Sequence, residues 1–401
     1  MEFAKSPRST LGIEWELQLI DTDSNDLRQS ADAVMDRVEA LGIDTSMVHR
    51  EMLLNTVELV SRPHKRVADA CADLEAGLEI VRSVVEPMRI TLGSAGSHPF
   101  ANPAYQRVTD SARYAELVKR TQYWGRQMLL FGTHIHIGIE SRDKVLPILN
   151  ALLTRFAQLQ AVTAASPFWS GQLTGYADNR AMVFQQLPTA GTPHQFDTWD
   201  QLQEYAEGML KTGVIEEFDE IRWDIRPSPK FGTLEIRVCD AATNIAEVGM
   251  VAALCQCWVE YFSRELDAGR ELPTIPPWFV SENKWRAARY GMDAILILDR
   301  EGNEEHVEVT LRRCLEFLLP IAQDLGCVDE LMVLERVLEL GAPYQRFLKA
   351  GKGKEKEREA IVDFMIAEMI ARQPLDPTAI DDVGIAVTGK AVGDSRPENE
   401  A

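Results

Sequence analysis

The sequence predicts an α+β fold built on one antiparallel sheet, with a helical region following it in the chain. Three observations support this prediction: six segments with strand character lie between residues 11 and 239, helical segments separate them at irregular intervals, and only helical periodicity follows residue 243. Strands and helices that do not alternate regularly favour an antiparallel sheet over a doubly wound one. We therefore expect a single antiparallel sheet of six strands.

The predicted strands are short apolar or alternating runs, and longer stretches with helical spacing lie between them. The strands are expected at 11–20, 54–60, 90–97, 131–139, 220–226 and 233–239. The helices between them are expected near 30–41, 65–88, 110–128, 142–165 and 199–212.

The chain contains no internal repeat and no linker that would separate domains. We predict one domain over residues 1–373, with a strand-bearing part at 10–240 and a helical part at 243–373. Residues 374–401 lose apolar content and gain Pro, Asp and Gly, which predicts a flexible tail. The stretch 166–198 is dense in Gly, Pro, Asn and aromatic residues, and irregular stretches of this length are usually functional loops.

The charge balance limits the partners of the protein. The 401 residues include 62 acidic and 42 basic side chains, for a formal net charge of −20. Such a surface repels nucleic-acid phosphates and anionic membranes, so we expect neither as a partner. No run of about 18 uncharged apolar residues is present, as a membrane-spanning helix would need. The six cysteines form no CxxC pair, which is typical of reduced thiols and indicates the cytoplasm.

One face of the predicted sheet is unusual in its residue types. Side chains alternate across a strand, so residues i and i+2 share a face. In the first strand Ile13, Trp15 and Leu17 take one face and Glu14 and Glu16 the other. The polar positions of the predicted strands are Glu14, Glu16, Gln18, Glu58, His134, His136, Arg222, Asp224, Arg226, Glu235 and Arg237.

This polar face has two interpretations. Antiparallel sheets often turn one face to water, and a plain solvated face is the simpler reading. Solvated strand faces favour Thr, Ser and Lys, however, whereas these positions hold no Lys and are rich in carboxylates, imidazoles and guanidinium groups. Hard oxygen donors suit Mg²⁺ or Mn²⁺, and magnesium is usually held together with substrate phosphates. We therefore predict a site for a metal-bound nucleotide.

The common loops for nucleotides and catalysis are absent. The sequence has no GxxxxGK[ST], no GxGxxG after a strand, no HExxH and no GxSxG. The GKGK at 351–354 lies in a charged stretch and is interpreted as solvated. The DTDSND at 21–26 lacks the Gly and Glu of a calcium loop and is interpreted as a turn. A nucleotide would have to be held by metals and arginines.

Seven segments, taken in order, resemble one known family. They are TLGIEWELQL, EMLLNTVELVS, GSHPFANP, GTHIHIGI, SPFWSGQLTGYADNR, WDIRPS and GTLEIRVCD. The chain resembles the carboxylate–amine ligases of the glutamate–cysteine ligase type 2 family, within the glutamine synthetase-like superfamily. The resemblance runs from about Thr10 to about Arg372.

The resemblance implies a curved antiparallel sheet with helices on its outer face and an inner face that holds ATP, two or three Mg²⁺ ions and glutamate. Arg237 and Arg226 match arginines that meet phosphate or the transferring phosphoryl group. Arg180 lies in a segment that resembles the substrate-binding loop, and His136 matches a position near the phosphates or glutamate. Asn179 and the GQL before Thr174 match no position with a known role, so the contacts to the amine stay open. The positions that match metal ligands are Glu14, Glu16, Glu51, Glu58, His134 and Glu235.

The resemblance also implies a reaction. The γ-carboxylate of glutamate would be activated by ATP as an acyl phosphate and then joined to an amine, for which cysteine is the family's expectation. A metal-dependent phosphohydrolase, a glutamine synthetase-like enzyme using ammonia, and a non-catalytic sensor of nucleotide or amino acid remain alternatives. The partners expected are small molecules, and assembly into a homo-oligomer is left open.

Overall fold

The computed structural model describes residues 1–378, without the side chains of residues 112 and 113. It confirms the predicted α+β class, because the main sheet pairs its strands antiparallel throughout and helices pack against it. Residues 374–378 follow the last helix, where the Leu375 N–H donates to Glu368 Oε1 at 2.9 Å. The remainder of the predicted flexible tail, 379–401, lies outside the described residues.

The main sheet has seven strands rather than the expected six. Its order is β2-β3-β1-β5-β9-β8, with β4 pairing the end of β1. The strands of the described chain are β1 (Leu11–Asp21), β2 (Val48–Arg50), β3 (Thr56–Val60), β4 (Ile90–Gly93), β5 (Thr133–Gly138), β6 (Phe168–Trp169), β7 (Gln172–Leu173), β8 (Ile225–Ser228), β9 (Thr233–Ile236), β10 (Ile295–Ile297) and β11 (Glu304–His306).

The structure departs from the strand predictions at β2, which was not predicted, and at the segment 220–226. Strand β2 has only three residues, too few for a periodic signal. The predicted strand 220–226 begins only at Ile225, because the preceding N–H groups bond elsewhere. Arg222 N donates to Thr189 O and Asp224 N donates to Gly191 O, so this part pairs with the end of the long loop.

The helices follow the predicted pattern up to residue 211 with two exceptions: the stretch 142–165 forms two helices, and the short helix α6 lies in the stretch 166–198 that was predicted to be irregular. They are α1 (Ala31–Glu39), α2 (Val67–Val85), α3 (Ala112–Thr121), α4 (Arg142–Leu152), α5 (Phe156–Thr163), α6 (Asn179–Phe184), α7 (Trp199–Lys211), α8 (Ile245–Asp267), α9 (Pro277–Tyr290), α10 (Val307–Leu325), α11 (Val328–Leu340), α12 (Pro343–Gly351) and α13 (Glu357–Ala371).

The expectation of helices alone after residue 243 is wrong, because β10 and β11 form a hairpin there. Its turn is stabilised by Asp299, whose carboxylate accepts from both the N–H and the side chain of Asn303. Gly302 lies in the turn with φ +81°. The sequence could have predicted this hairpin, because a short apolar run is followed there by a turn that contains Asp, Gly and Asn.

The apolar face of the sheet forms the main core. Ile13, Trp15 and Leu17 of β1 are fully buried there, and helices α2 and α8 pack against this strand. Helix α8 is long and apolar enough to span a membrane, but 89% of its most apolar window is buried inside the protein, as in a core helix. Burial of this face leaves the opposite face of the sheet to the polar side chains.

A buried ion network ties the helical part together. The guanidinium of Arg346 on α12 is fully buried and lies 2.7 Å from carboxylate oxygens of both Glu247 on α8 and Glu368 on α13. Thr243 donates its hydroxyl to Glu368 at 2.6 Å. Because each charge has an opposite partner, three helices are fixed relative to one another without an unpaired buried ion.

Candidate active site

Strand register brings the polar residues of five strands together. Glu14 of β1 lies directly opposite His134 of β5, and Glu16 of β1 lies opposite Glu58 of β3. Strand β9 lies between β5 and β8, and its Glu235 is directly opposite His136 of β5 and Arg226 of β8. Directly opposed residues share a face of the sheet, so these side chains form one continuous polar surface.

Three groups of side chains on this surface have the spacing of metal ligands. In each group, one donor atom per residue lies within 4.8 Å of the others. The groups are Glu14–Glu58–His134, Glu14–His136–Glu235 and Glu16–Glu51–Glu58. They bring together the six residues predicted as metal ligands, and they add His136, which we expected only near phosphate or glutamate.

Glu16 and Glu58 are held in an environment that opposes their charge. Burial, followed by the nearby carboxylate of Glu51, raises the pKa of Glu16 from 4.5 to about 8, against the opposing effects of Arg180 and of the Gly132 N–H. That N–H donates to Glu16 Oε2 at 2.6 Å. Burial and the carboxylates of Glu51, Glu14 and Glu16 likewise raise the pKa of Glu58 well above its usual range. A bound cation would relieve this repulsion.

Glu14 has the opposite environment. Burial alone would raise its pKa, but hydrogen bonds and charge interactions with His134 and His136 lower it well below the usual range. His134 Nδ1 lies 3.0 Å from Glu14 Oε2, and His136 Nε2 lies 3.3 Å from Glu14 Oε1. Glu14 is therefore an ionised carboxylate at neutral pH.

The two histidines differ in protonation. Burial, with a contribution from Arg237, lowers the pKa of His134 to about 4, so its ring is neutral and its Nδ1–H donates to Glu14. Burial opposes charge on His136 too, but Glu235 and Glu14 outweigh it and raise its pKa. The other nitrogen of His136, Nδ1, lies 2.9 Å from Thr233 Oγ1.

Glu235 joins the two arginines predicted to be catalytic. Arg226 Nε donates to Glu235 Oε2 at 2.7 Å, and Arg237 Nη1 donates to Glu235 Oε1. Burial would raise the pKa of Glu235, yet Arg237 and Arg226 lower it. Arg226 does not pair with Asp224, whose carboxylate instead receives Lys284 Nζ at 2.7 Å. The sheet is thus braced by a separate buried ion pair, and Arg226 and Arg237 stay on the polar surface.

Arg180 occupies a different place from the other predicted residues. It lies on α6, which begins where the Asp178 carboxylate accepts from the Ala181 N–H at 2.8 Å. Its guanidinium donates to Arg237 O at 3.1 Å and lies 3.3 Å from His134 Nε2. Arg180 is therefore buried behind His134, where it holds the ring and the end of β9.

The polar surface opens into a pocket of about 250 Å³. Seven of the ten predicted residues line it: Glu14, Glu16, Glu51, Glu58, His134, Arg226 and Arg237. Glu235, His136 and Arg180 lie behind these residues and contact them.

The pocket also contains residues that the sequence predictions left without a role. Arg222 lay on the predicted polar face but was given no function, and it lines the pocket beside Asp219. Tyr114 on α3 also lines the pocket, and nothing in the sequence predicted that this helix lies near the sheet. The remaining wall is apolar and consists of Met52, Leu117, Met128, Leu130, Phe184 and Leu187. The site therefore has a charged floor and an apolar side.

Comparison with known proteins decides the family. The family model for glutamate-cysteine ligase family 2 matches residues 10–367. The chain belongs to glutamate-cysteine ligase family 2. As a member of this family it is an ATP-dependent carboxylate–amine ligase.

Curated relatives in this family match nearly the whole chain. A protein from Arthrobacter sp. (strain FB24), provisionally assigned as glutamate–cysteine ligase 2-1, is 50% identical over 375 residues, which cover 92% of this chain and 98% of that protein. A protein from Mycobacterium tuberculosis (strain ATCC 25177 / H37Ra), provisionally assigned as glutamate–cysteine ligase 2, is 48% identical over 370 residues, covering 92% and 97%.

Two solved structures are similar in fold to this member of glutamate-cysteine ligase family 2. A glutamate–cysteine ligase from Francisella tularensis in complex with AMP has a TM-score of 0.63 at 14% identity, covering 97% of this chain and 94% of that one. A bifunctional glutathione synthetase from Pasteurella multocida has a TM-score of 0.61 at 16% identity, covering 90% and 52%. At these identities the likeness establishes the shared fold alone.

Proposed function

We propose that this enzyme uses ATP to join the γ-carboxylate of glutamate to the amino group of cysteine. The observation that carries the proposal is the cluster of three carboxylate-rich groups in and directly behind the pocket floor, beside Arg226 and Arg237, in a chain of this ligase family. Two anions, ATP and a carboxylate, must approach each other in such a reaction. A floor that supplies cation ligands and guanidinium groups offsets their repulsion.

The donor set fits magnesium. The proposed ligands are carboxylates except for His134, and hard oxygen donors favour Mg²⁺ or Mn²⁺ over zinc. The raised pKa values of Glu16 and Glu58 indicate uncompensated negative charge, which a cation would balance. The ligands proposed are Glu14, Glu16, Glu51, Glu58, His134 and Glu235. When bound, Mg²⁺ would neutralise charge on the ATP phosphates.

His134 would have to change one contact to bind a metal. Its two nitrogens are engaged by Glu14 and Arg180, so ligation through Nδ1 would replace the direct bond to Glu14 by a shared ion. The ring's proton would then move to Nε2, so Arg180 would no longer donate to the ring and would hold the end of β9 beside it through its bonds to Arg237 O. We propose this positioning role for Arg180, behind the ligand rather than on the substrate.

Arg237 and Arg226 are proposed to stabilise the transferring phosphoryl group. Burial opposes charge on Arg237, but Glu235 outweighs it and raises its pKa, so the guanidinium stays charged. Its Nε is buried without a protein partner among the described residues, which leaves a donor for a ligand oxygen. Arg226 is held by Glu235 and by the carbonyl of Ile221 at 2.6 Å. Fixed donors of this kind stabilise charge that develops in a transition state.

The proposed reaction has two steps. A γ-carboxylate oxygen of glutamate attacks the γ-phosphorus of ATP, the bond to the bridging oxygen breaks, and ADP leaves. The amine nitrogen then attacks the acyl carbon, and phosphate leaves carrying the amine's proton. The apolar wall formed by Met52, Met128, Leu130 and Phe184 would exclude water, which would otherwise hydrolyse the acyl phosphate.

A hydroxylamine trap tests the proposal. With Mg²⁺, ATP and glutamate, hydroxylamine should yield a γ-glutamyl hydroxamate in step with ADP, because it attacks acyl phosphates readily. A phosphohydrolase would release phosphate without glutamate, and a sensor would bind ATP without turnover. Cysteine and ammonia offered together as competing amines separate the proposed activity from a glutamine synthetase-like one. ADP release without glutamate, together with no hydroxamate, would contradict the ligase chemistry.

The thiols support a reducing location. All six cysteines are free, and even the closest pair, Cys257 and Cys327, has its sulfurs 3.7 Å apart and unbonded. Free buried thiols are typical of reducing compartments, so we propose that the enzyme works in the cytoplasm.

A further inference from the structure

A second pocket lies in the helical part of the molecule, away from the carboxylate-rich floor. Helices α8 and α10 form most of its wall, and Arg155, Pro273 and Leu298 form the rest. It has a volume of about 250 Å³ and shares no lining residue with the catalytic pocket. Neither the family chemistry nor the polar face of the sheet accounts for it.

The wall of this pocket is a stack of aromatic rings. The ring of Trp258 lies nearly parallel to those of Phe262 and Phe317, with centroids 5.4 and 5.7 Å apart. Tyr261 meets Phe317 edge-on at 4.8 Å. Phe317 is 46% exposed, so the stack continues to the surface. Rings at this spacing already contact one another, so a further flat apolar group would pack on the open side of the cluster, against Phe317, with Pro273 and Leu298 in the same lining.

Arg155 places a positive charge in this pocket, and no carboxylate of residues 1–378 pairs with it. Its guanidinium lies 4.6 Å from the centroid of the Trp258 ring. This contact covers one face of the guanidinium but gives its N–H groups no hydrogen-bond acceptor. Its Nε is buried without a hydrogen-bond partner within residues 1–378. Burial lowers the pKa of Arg155, as expected for a desolvated cation.

The lining contrasts with the rest of the protein. The chain carries a net charge of −20, yet the described residues that line this pocket include two arginines and neither Asp nor Glu. The second arginine, Arg313, pairs with Glu305 and is already balanced. One unbalanced positive charge therefore remains, which matches a ligand with a single negative charge rather than a phosphate dianion.

We propose that this pocket binds a small molecule with a flat apolar ring and one carboxylate. The ring would pack against the exposed Phe317 on the open side of the aromatic cluster, and the carboxylate would accept hydrogen bonds from the edge of Arg155. Such charge-assisted bonds are strongest where the guanidinium is shielded from water. The site is separate from the catalytic pocket and does not depend on which amine the ligase uses.

Binding of phenylacetate to the full-length enzyme tests this site. Calorimetric titrations are run with excess glutamate and Mg–ADP, so that the catalytic pocket is occupied. We expect saturable binding of one phenylacetate per chain, and binding of the neutral phenylacetamide weaker by about tenfold or more. No saturable binding, or equal binding of acid and amide, would overturn the proposal.

Three variants locate the bound molecule. Arg155→Met keeps the length of the side chain and should reduce phenylacetate binding to the level of the amide. Phe317→Ala should weaken both ligands, and Arg312→Met is the matched control, because Arg312 is on the same helix but pairs with Glu308 outside the pocket. If Arg155→Met does not fold, Phe317→Ala decides. Unchanged binding in the variants that fold would refute the site.

Discussion

The environment of Glu16 makes a prediction that needs no substrate. In the metal-free protein Glu16 has a pKa of about 8, against 4.5 for an ordinary glutamate. Between these values the unfolded chain has lost this proton while the folded protein still holds it. Stability therefore falls as pH rises from about 4.5 towards about 8, and a glutamine at this position should remove the fall.

The size of the effect follows from the two pKa values. At about pH 7.5, some three pKa units above 4.5, the difference is about 4 kcal/mol at about 1.36 kcal/mol per unit. The pocket is open to water on one side, which reduces this to on the order of 2 to 4 kcal/mol. Glutamine keeps an oxygen for the Gly132 N–H, so little is lost in exchange. We expect the Tm of Glu16→Gln to rise by roughly 3 to 6 °C.

The assay is thermal unfolding in excess EDTA across a pH series. The gain in Tm should be present near neutral pH and should nearly vanish below about pH 4, where both states hold the proton. Added Mg²⁺ should stabilise the wild-type enzyme more than the variant, and ligase activity should fall by orders of magnitude in the variant. Glu14→Gln is the matched control, because the pKa of Glu14 is lowered and its loss should reduce Tm near neutral pH. A gain for Glu16→Gln that is absent or independent of pH would refute this reasoning.

Three further predictions concern other parts of the molecule. Arg237→Lys should lower kcat more than it raises the KM for ATP, since an ammonium group cannot replace the planar fork that meets the phosphoryl group, and steady-state kinetics would show a pure KM effect if Arg237 only binds the ground state. Gly132→Ala should lower kcat and also lower Tm somewhat, because the new Cβ would lie 2.3 Å from the buried Arg180 Nη2 and 2.8 Å from His134 Nε2; unaltered kinetics would argue against the positioning role of Arg180. Arg346→Met should lower the free energy of unfolding by about 3 to 5 kcal/mol, since two buried glutamates lose their partner, and denaturant titration that finds a smaller loss would indicate that water reaches them.

The sequence by itself determined the fold class and the chemistry of the polar face. Side chains alternate along every strand, so the placing of Glu14 and Glu16 on the face opposite Ile13 and Trp15 is a local property. The kinds of donor on that face predict a hard metal ion, and the structure groups those donors together, while the metal itself stays a prediction. The role of each residue in the reaction stays a prediction.

Only the tertiary structure decided which of these side chains meet. That Glu16 lies opposite Glu58, and Glu235 between His136 and Arg226, depends on strand register across long stretches of chain. The same dependence kept Tyr114 out of the predicted pocket, because its helix is joined to the sheet only through space. Periodicity reports which face a residue takes on its own element, whereas register and packing follow from the fit of distant elements, which no local pattern contains.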